Sequence, residues 1–336
     1  MENIVWNRLV PTLESEEWTR KKILVTLVLI GATTFFFIVA YFWKYFTLSL
    51  FLSKPALSLY VVLFSIFCYA LYEPFNLQFT FKEIYIPGKK FKPFVAVHLS
   101  DLHLQWPYPY VTEESLKKVV QKVNDLNPDI IFLTGDYISR FRSENISAGN
   151  TAALARSLSG LKAKNGVYAI LGNNDFRALK YVLEMFEKLD IRLLRNETVV
   201  VGDLIISGID PAKNMEMAKS SLDKLPHQNG QFSDQGQNPE NALRILLSHE
   251  PDVAVVSSQY GFDLQLSGHS HGGQCVAPFG IGPLIVPTMG WRFPLGLYKV
   301  KDMLLFVSAG VGISPLPKPP VRFNNPPEVA VLRITN

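Results

Sequence analysis

The feature that most constrains this chain is a set of short polar clusters, each set just behind an apolar run of strand length. Residues 94–99 lead into Asp101-Leu102-His103, residues 129–134 into Gly135-Asp136, and residues 166–171 into Gly172-Asn173-Asn174-Asp175. Later, residues 243–247 lead to His249 and residues 262–266 to Gly268-His269-Ser270-His271. Short apolar runs bounded by glycine read as buried strands, and open sheets gather their ligand sites beyond strand ends. Four of the chain's six histidines fall in these clusters, beside aspartates and an asparagine. Packing gives no reason for that concentration. Carboxylate, amide and imidazole donors together suit divalent cations, and the set points to a hydrolase that uses two metal ions.

The spacing within the clusters supports this. Asp101 and His103 are two apart, so an extended backbone would aim both at one ion. His269 and His271 repeat the spacing. Asp136 has two carboxylate oxygens and could bridge cations about 3.5–4 Å apart, and its neighbour Gly135 removes side-chain bulk where backbone and metal must approach. Asn173 and His249 add neutral donors. A lone Asp-x-His is common by chance; the ordered set is what makes the signal specific. Other residues of the same types read more plainly. His98 lies inside a strand and is expected to be a packed core histidine, His227 a solvated loop residue, and Asp210, Asp252 and Asp263 caps or turn residues.

Composition matters at the front of the chain. Hydrophobic residues make up 48% and charged residues only 18%, with the apolar excess concentrated early. Residues 23–43 form an uncharged apolar run as long as the roughly 20 residues a bilayer-crossing helix needs. Residues 56–72 form a second, with Lys44 and Lys54 between them. The expected arrangement is a transmembrane helical hairpin. A cleavable signal is not expected, because the first run starts late and no small-x-small site follows it. Arg20, Lys21 and Lys22 before the pair, and Lys82, Lys89, Lys90 and Lys92 after it, favour both ends in the cytoplasm. The division is then 1–22 as a cytoplasmic segment, 23–73 as a membrane anchor and 74–336 as the catalytic domain. The two cysteines, Cys68 and Cys275, leave no disulfide within that domain, which fits a reducing compartment. A net charge of +4, scattered along the chain, gives no reason to expect nucleic acid as a partner. No obligate protein partner is expected either.

Within 74–336 the first half alternates strands with helices at 113–124, 151–161 and 176–189. Thr112 is placed as N-cap of the first of these, with acids in its first turn. After residue 191 the pattern turns to strands and turns. Two sheets packed face to face with helices outside accommodate both halves. The polar stretch 226–241 reads as a surface loop that could cover a site.

The order Asp-x-His, Gly-Asp, Gly-Asn-x-Asp, His, Gly-His-x-His resembles the calcineurin-like metallophosphoesterase superfamily from about residue 94 to the C-terminus. The resemblance implies a four-layer αββα sandwich and two divalent metal ions, with Mn²⁺ the expected ion. One ion would be held by Asp101, His103, Asp136 and His271, the other by Asp136, Asn173, His249 and His269. The chain departs from the family where Asn174 replaces the usual histidine, which is assigned to protonating the leaving oxygen. An amide cannot do this, and general acid catalysis is typically worth ~10²–10⁴ in rate. The departure suggests a leaving group that needs no proton, as in a phosphoanhydride. In the implied reaction, a water activated by the metal pair attacks phosphorus in line.

With the apolar front, the chain resembles the membrane-anchored bacterial branch of the superfamily, and within it the chlamydial type of UDP-2,3-diacylglucosamine pyrophosphatase of lipid A synthesis. Segments 294–296 and 322–328 carry the match to that branch. The implied partners are a lipid-linked nucleotide substrate and the bilayer, at a bacterial inner membrane. Asn174 and Asp175 are expected in the catalytic loop, with Asn174, Arg177, Arg292 and Arg322 as substrate contacts. Two other functions are compatible with the sequence: a phosphodiesterase acting on phospholipids or cyclic nucleotides, and a non-catalytic scaffold on the same fold.

Overall fold

The structure is a computed structural model that describes residues 6–8, 12–13, 54–104, 110–139, 144–226, 242–277, 282–284, 286–314 and 320–336. The apolar run 23–43, His227 and nearly all of the polar stretch 226–241 lie outside them.

Helix α1 (Lys54–Tyr72) covers the second apolar run. Its exposed surface is apolar: Leu59, Val62, Leu63, Phe64 and Phe67 each show about half of their surface or more. The window Ser58–Phe75 is long and apolar enough to cross a bilayer, and only 17% of it is buried against the rest of the chain. It is the one such helix among the described residues.

Two seven-stranded sheets make the body. In chain order the strands are β1 (Asn7–Arg8), β2 (Thr12–Leu13), β3 (Gln78–Tyr85), β4 (Phe94–Leu99), β5 (Ile130–Leu133), β6 (Val167–Ala169), β7 (Arg192–Leu193), β8 (Glu197–Val201), β9 (Leu204–Gly208), β10 (Leu243–Leu247), β11 (Leu264–Ser267), β12 (Val276–Ala277), β13 (Gly282–Pro283), β14 (Gly296–Val300), β15 (Met303–Val307) and β16 (Glu328–Thr335). One sheet runs β1-β3-β16-β4-β5-β6-β7 and the other β2-β14-β15-β11-β10-β9-β8, with β12 and β13 as a separate pair. The first thirteen residues therefore lend a short edge strand to each sheet. Strands β4, β5 and β6 are mutually parallel, as are β9, β10, β11 and β15, so within each sheet their tips emerge on the same side.

Side-chain alternation builds the layers. In β5, Ile130 and Phe132 face the other sheet, while Ile131 and Leu133 face helices. In β15, Leu304 and Phe306 point inward and Met303, Leu305 and Val307 outward. Helices α2 (Glu113–Asp125), α3 (Glu144–Leu158) and α4 (Leu179–Phe186) cover the outer face of the first sheet. Helices α5 (Met215–Leu222) and α6 (Ala254–Ser257) cover that of the second. Three apolar cores thus separate four layers, helix, sheet, sheet, helix.

Thr112 caps α2 through a capping box with Ser115, and Glu113 and Glu114 occupy the first turn. His98 is fully buried, bonded to Thr134 Oγ1 at 2.8 Å. Burial pushes its imidazole down to about 4, partly offset by Glu328. It is a neutral core residue. Asp252, Asp263 and Asp210 tie turns: they accept from the N–H of Arg292, the N–H of Arg244 and the side chain of Arg195.

Candidate metal centre

The tips of β4, β5, β6, β10 and β11 meet at one place. Asp101, His103 and His271 bring ligand atoms within 4.8 Å of one another, and so do Asp101, Asp136 and His249, as well as His249, Glu250 and His269. Asp136 stands between the groups, with Oδ2 3.5 Å from His103 Nε2 and Oδ1 3.5 Å from His249 Nε2. Asn173 Oδ1 lies 3.2 Å from His249 Nε2. All seven residues expected as metal ligands are therefore in one cluster.

The backbone that achieves this is not extended. Asp101, His103, Asp136, His269 and His271 all have φ between 44° and 66°. Side chains other than glycine, asparagine, aspartate and histidine rarely sit there, and each such residue costs on the order of 1–3 kcal/mol that surrounding structure must hold in place. Convergence thus comes from left-handed turns at the strand ends rather than from strand alternation. Close approach does the rest. A Cβ on Gly268 would overlap Ser100 and Asp101, and one on Gly172 would overlap Asp136, so the strand tips touch backbone to side chain.

Hydrogen bonds fix which atoms face inward. His249 Nδ1–H donates to Thr134 O at 2.7 Å, which leaves Nε2 as a lone pair. His269 Nε2–H donates to Thr288 O at 2.8 Å, which leaves Nδ1 as a lone pair. These two lone pairs face each other at 3.2 Å, with the Asn173 carbonyl oxygen beside them. With both rings neutral, three acceptors converge with no hydrogen between them, an arrangement that a cation satisfies in place of the proton His249 otherwise takes up. On the other side, Asp101 Oδ2 accepts from Ser100 Oγ (2.6 Å) and from His269 N–H (2.9 Å), while Oδ1 is buried with no hydrogen-bond partner. It lies 3.4 Å from His271 Nε2. His103 Nε2 and His271 Nε2 are 3.0 Å apart. The residues present fit a pair of divalent ions.

The electrostatics agree. Burial works against ionisation of Asp136, but the His249 and His103 imidazoles and the Asn174 N–H outweigh it and hold the carboxyl well below its usual range. Burial likewise opposes charge on His249, yet Asp136, then Asp101 and Glu250, raise it well above its ordinary value. Burial lowers His103 and His271 instead, well below the ordinary value for His271, which keeps both rings in the neutral form that binds metal.

The remaining expected residues divide. Asn174 donates from its amide to Asp136 Oδ2 at 2.5 Å and from its N–H to Oδ1 at 2.8 Å, so it steers that carboxylate. Asp175, read as the residue that orients the catalytic loop from behind, is fully buried there. Its carboxylate accepts the N–H groups of Gly172, Asp136 and Tyr137 at 2.7–3.0 Å. Arg177, in the short 3-10 turn Asp175–Ala178, and Arg292 are both exposed.

Arg322 is a correction. It was expected to touch substrate, but it is completely buried. Its Nη2 donates to Ala309 O and Gly312 O, each at 2.7 Å, and its Nη1 to Asn325 O at 3.1 Å. It packs 3.3 Å behind His271 Nδ1, and Asn325 donates to His271 O at 2.6 Å. The segment 322–328 braces the centre. Sequence reasoning also missed Thr134, Thr288 and Ser139, the last 3.3 Å from His103 Nδ1. The two threonines act through backbone carbonyls, which leave no residue-type signal.

The sequence profile of the calcineurin-like phosphoesterases matches residues 94–273. An uncharacterised metallophosphoesterase of Bacillus subtilis, YkuE, is 34% identical over 269 residues, 77% of this chain and 85% of that protein. The UDP-2,3-diacylglucosamine pyrophosphatase LpxG of Chlamydia muridarum is 27% identical over 299 residues, 70% of this chain and 82% of that protein. A zebrafish (Danio rerio) transmembrane protein with a metallophosphoesterase domain is 28% identical over 66% of this chain. The chain spans about half (49%) of that protein's length.

Proposed function

Because the chain belongs to the calcineurin-like phosphoesterase family and is a metal-dependent hydrolase, we propose that its substrate is a lipid-linked nucleoside diphosphate. The reaction is cleavage of the pyrophosphate bond of UDP-2,3-diacylglucosamine to UMP and 2,3-diacylglucosamine 1-phosphate, the first of these compounds being the substrate in the name of the chlamydial relative. The observation that carries this reading is Asn174. Where the family uses a histidine, this chain has an amide already donating to Asp136, and it has no proton to give. A phosphate leaving group departs without one; an alkoxide does not.

Asp101, His103, Asp136 and His271 would hold one divalent ion, and Asp136, Asn173, His249 and His269 the other, with Mn²⁺ as the expected pair. When bound, the ions supply a water of lowered pKa and neutralise phosphoryl oxygens. The chain's own contributions are orientation and charge. Thr134 and Thr288 carbonyls set the tautomers of His249 and His269, Asn174 fixes the plane of Asp136, and Arg177 and Arg292, both exposed, are the proposed contacts to a second phosphate.

The proposed location is the bacterial inner membrane; α1 and the fold support membrane attachment, and the cytoplasmic side is inferred from Arg20, Lys21, Lys22 and the lysines at 82–92. Strands β1 and β2 pair with the same sheets that follow α1. A crossing by α1 therefore requires a second crossing earlier in the chain, and the run 23–43 is long enough to provide it. Such an anchor raises the effective concentration of a lipid substrate.

The test is Mn²⁺-dependent turnover of UDP-2,3-diacylglucosamine by the full chain in detergent, with products identified by mass. UMP release abolished by Asp136→Ala is expected. Retention of activity in that variant, or equal rates on simple alkyl phosphates or cyclic nucleotides, would reject the reading.

A further inference from the structure

One carboxylate at the centre is left over by the two proposed ligand sets. Glu250 follows His249 just past β10 and is 2% exposed. A carboxylate oxygen of Glu250 and one ring nitrogen each of His249 and His269 lie within 4.8 Å of one another. That is the side of the centre where the second ion would sit, with Asn173 Oδ1 3.2 Å from His249 Nε2.

The side chain is held in this position. Glu250 Oε2 accepts the Ala212 N–H at 2.9 Å, and Ala212 is itself 1% exposed, in the turn that follows β9. On the backbone side, the Glu250 carbonyl accepts the Ser248 hydroxyl at 3.2 Å and the Val253 N–H at 3.4 Å. Pro251 then opens the 3-10 turn Pro251–Val253 and carries the chain away from the centre. A carboxylate has about four acceptor sites, so the bond from Ala212 leaves most of them available. Burying such a group beside two imidazoles costs free energy unless positive charge meets it. A divalent ion held by His249 and His269 supplies that charge.

The two ligand sets also differ in charge. The first ion would meet two carboxylates, Asp101 and Asp136, with His103 and His271. The second would meet only the shared Asp136, with the neutral donors Asn173, His249 and His269. Glu250 removes the difference. We propose that Glu250 is a fifth protein donor to the second ion, one that makes its site as anionic as the first. Carboxylate oxygen suits Mn²⁺, whereas imidazole suits Zn²⁺, so the added donor biases the site toward Mn²⁺. This rests on the two-ion reading above.

The experiment titrates the full chain in detergent with Mn²⁺ alone, read by electron paramagnetic resonance, and repeats the titration with Zn²⁺ as competitor. His249→Ala marks the binding step that belongs to the second ion. Glu250→Gln keeps the shape and a neutral oxygen; it should weaken Mn²⁺ at that step tenfold or more and at the other step less than twofold. Zn²⁺ should lose less, so the affinity ratio of Zn²⁺ to Mn²⁺ at that step rises at least threefold. Glu250→Asp keeps the charge but withdraws it by one carbon. A two- to fivefold loss of Mn²⁺ affinity at the same step is expected, and this variant serves alone if Glu250→Gln does not fold. Isotherms that superimpose on wild type, or equal losses at both steps, would overturn the inference. An equal loss for the two metals would do the same, because Glu250 would then only prop the loop through Ala212. A wild-type protein that binds no pair of ions would sink the two-ion reading, and this inference with it.

Discussion

Asn174 touches Asp136 through two hydrogen bonds, one from its side-chain amide and one from its backbone N–H, and this contact decides what the loop can and cannot do. Replacement by histidine restores a group able to protonate a leaving oxygen. Asn174→His should therefore raise turnover of an alkyl phosphodiester by tenfold or more, within the ~10²–10⁴ range of general acid catalysis, while hydrolysis of a nitrophenyl ester changes only a few-fold. Steady-state rates on the matched pair of esters measure it. A uniform change on both would mean that Asn174 acts only by orienting Asp136. At this scale the donor residues were legible, because aspartate, asparagine and histidine announce themselves by type. Arg322 was not. A sequence shows an arginine beside a glycine- and proline-rich stretch; only the fold shows that four carbonyls and a histidine close around it.

Strand tips are the elements that matter most, and their contact depends on missing side chains. Gly268 follows β11, and any Cβ there overlaps the Ser100 hydroxyl and the Asp101 carboxylate. Gly268→Ala should lower Mn²⁺ affinity at least tenfold while leaving the far-UV circular dichroism of the chain unchanged, since the strain falls on the loop rather than on the sheet. Calorimetric titration checks this, and unchanged affinity would show that the tips can separate without harm. The apolar runs located these strands because each is buried on both faces. Helix α2 was equally readable from Thr112 and its periodic Leu116, Val119, Val120 and Val123. Helix α5 was overlooked, although Asn214 caps it and Ala218 and Leu222 lie one turn apart on its buried side; two buried residues in eight are too few to declare a period. The extended geometry expected for Asp101 and His103 failed for another reason. Side-chain spacing alone does not distinguish a strand from a left-handed turn.

For the molecule as a whole, the pairing of β1 with β3 and of β2 with β14 puts both ends of the chain on one side of any membrane that α1 crosses. A helix of 19 residues is about 28 Å long at 1.5 Å per residue, close to the ~30 Å hydrocarbon thickness. Reporters fused before Met1 and after Asn336, one active only in the cytoplasm and one only outside it, should give the same answer at both ends. Opposite answers would exclude an even number of crossings.

One arrangement reaches further than catalysis. Asp101, His103, Asp136 and Asn173 lie in turns that follow strands of the first sheet, whereas His249, His269 and His271 follow strands of the second. A bound ion pair would act as a rivet between halves synthesised at different times. A nascent chain halted before residue 271 cannot complete the rivet, so an unfinished enzyme lacks the complete ligand set that metal-dependent hydrolysis needs.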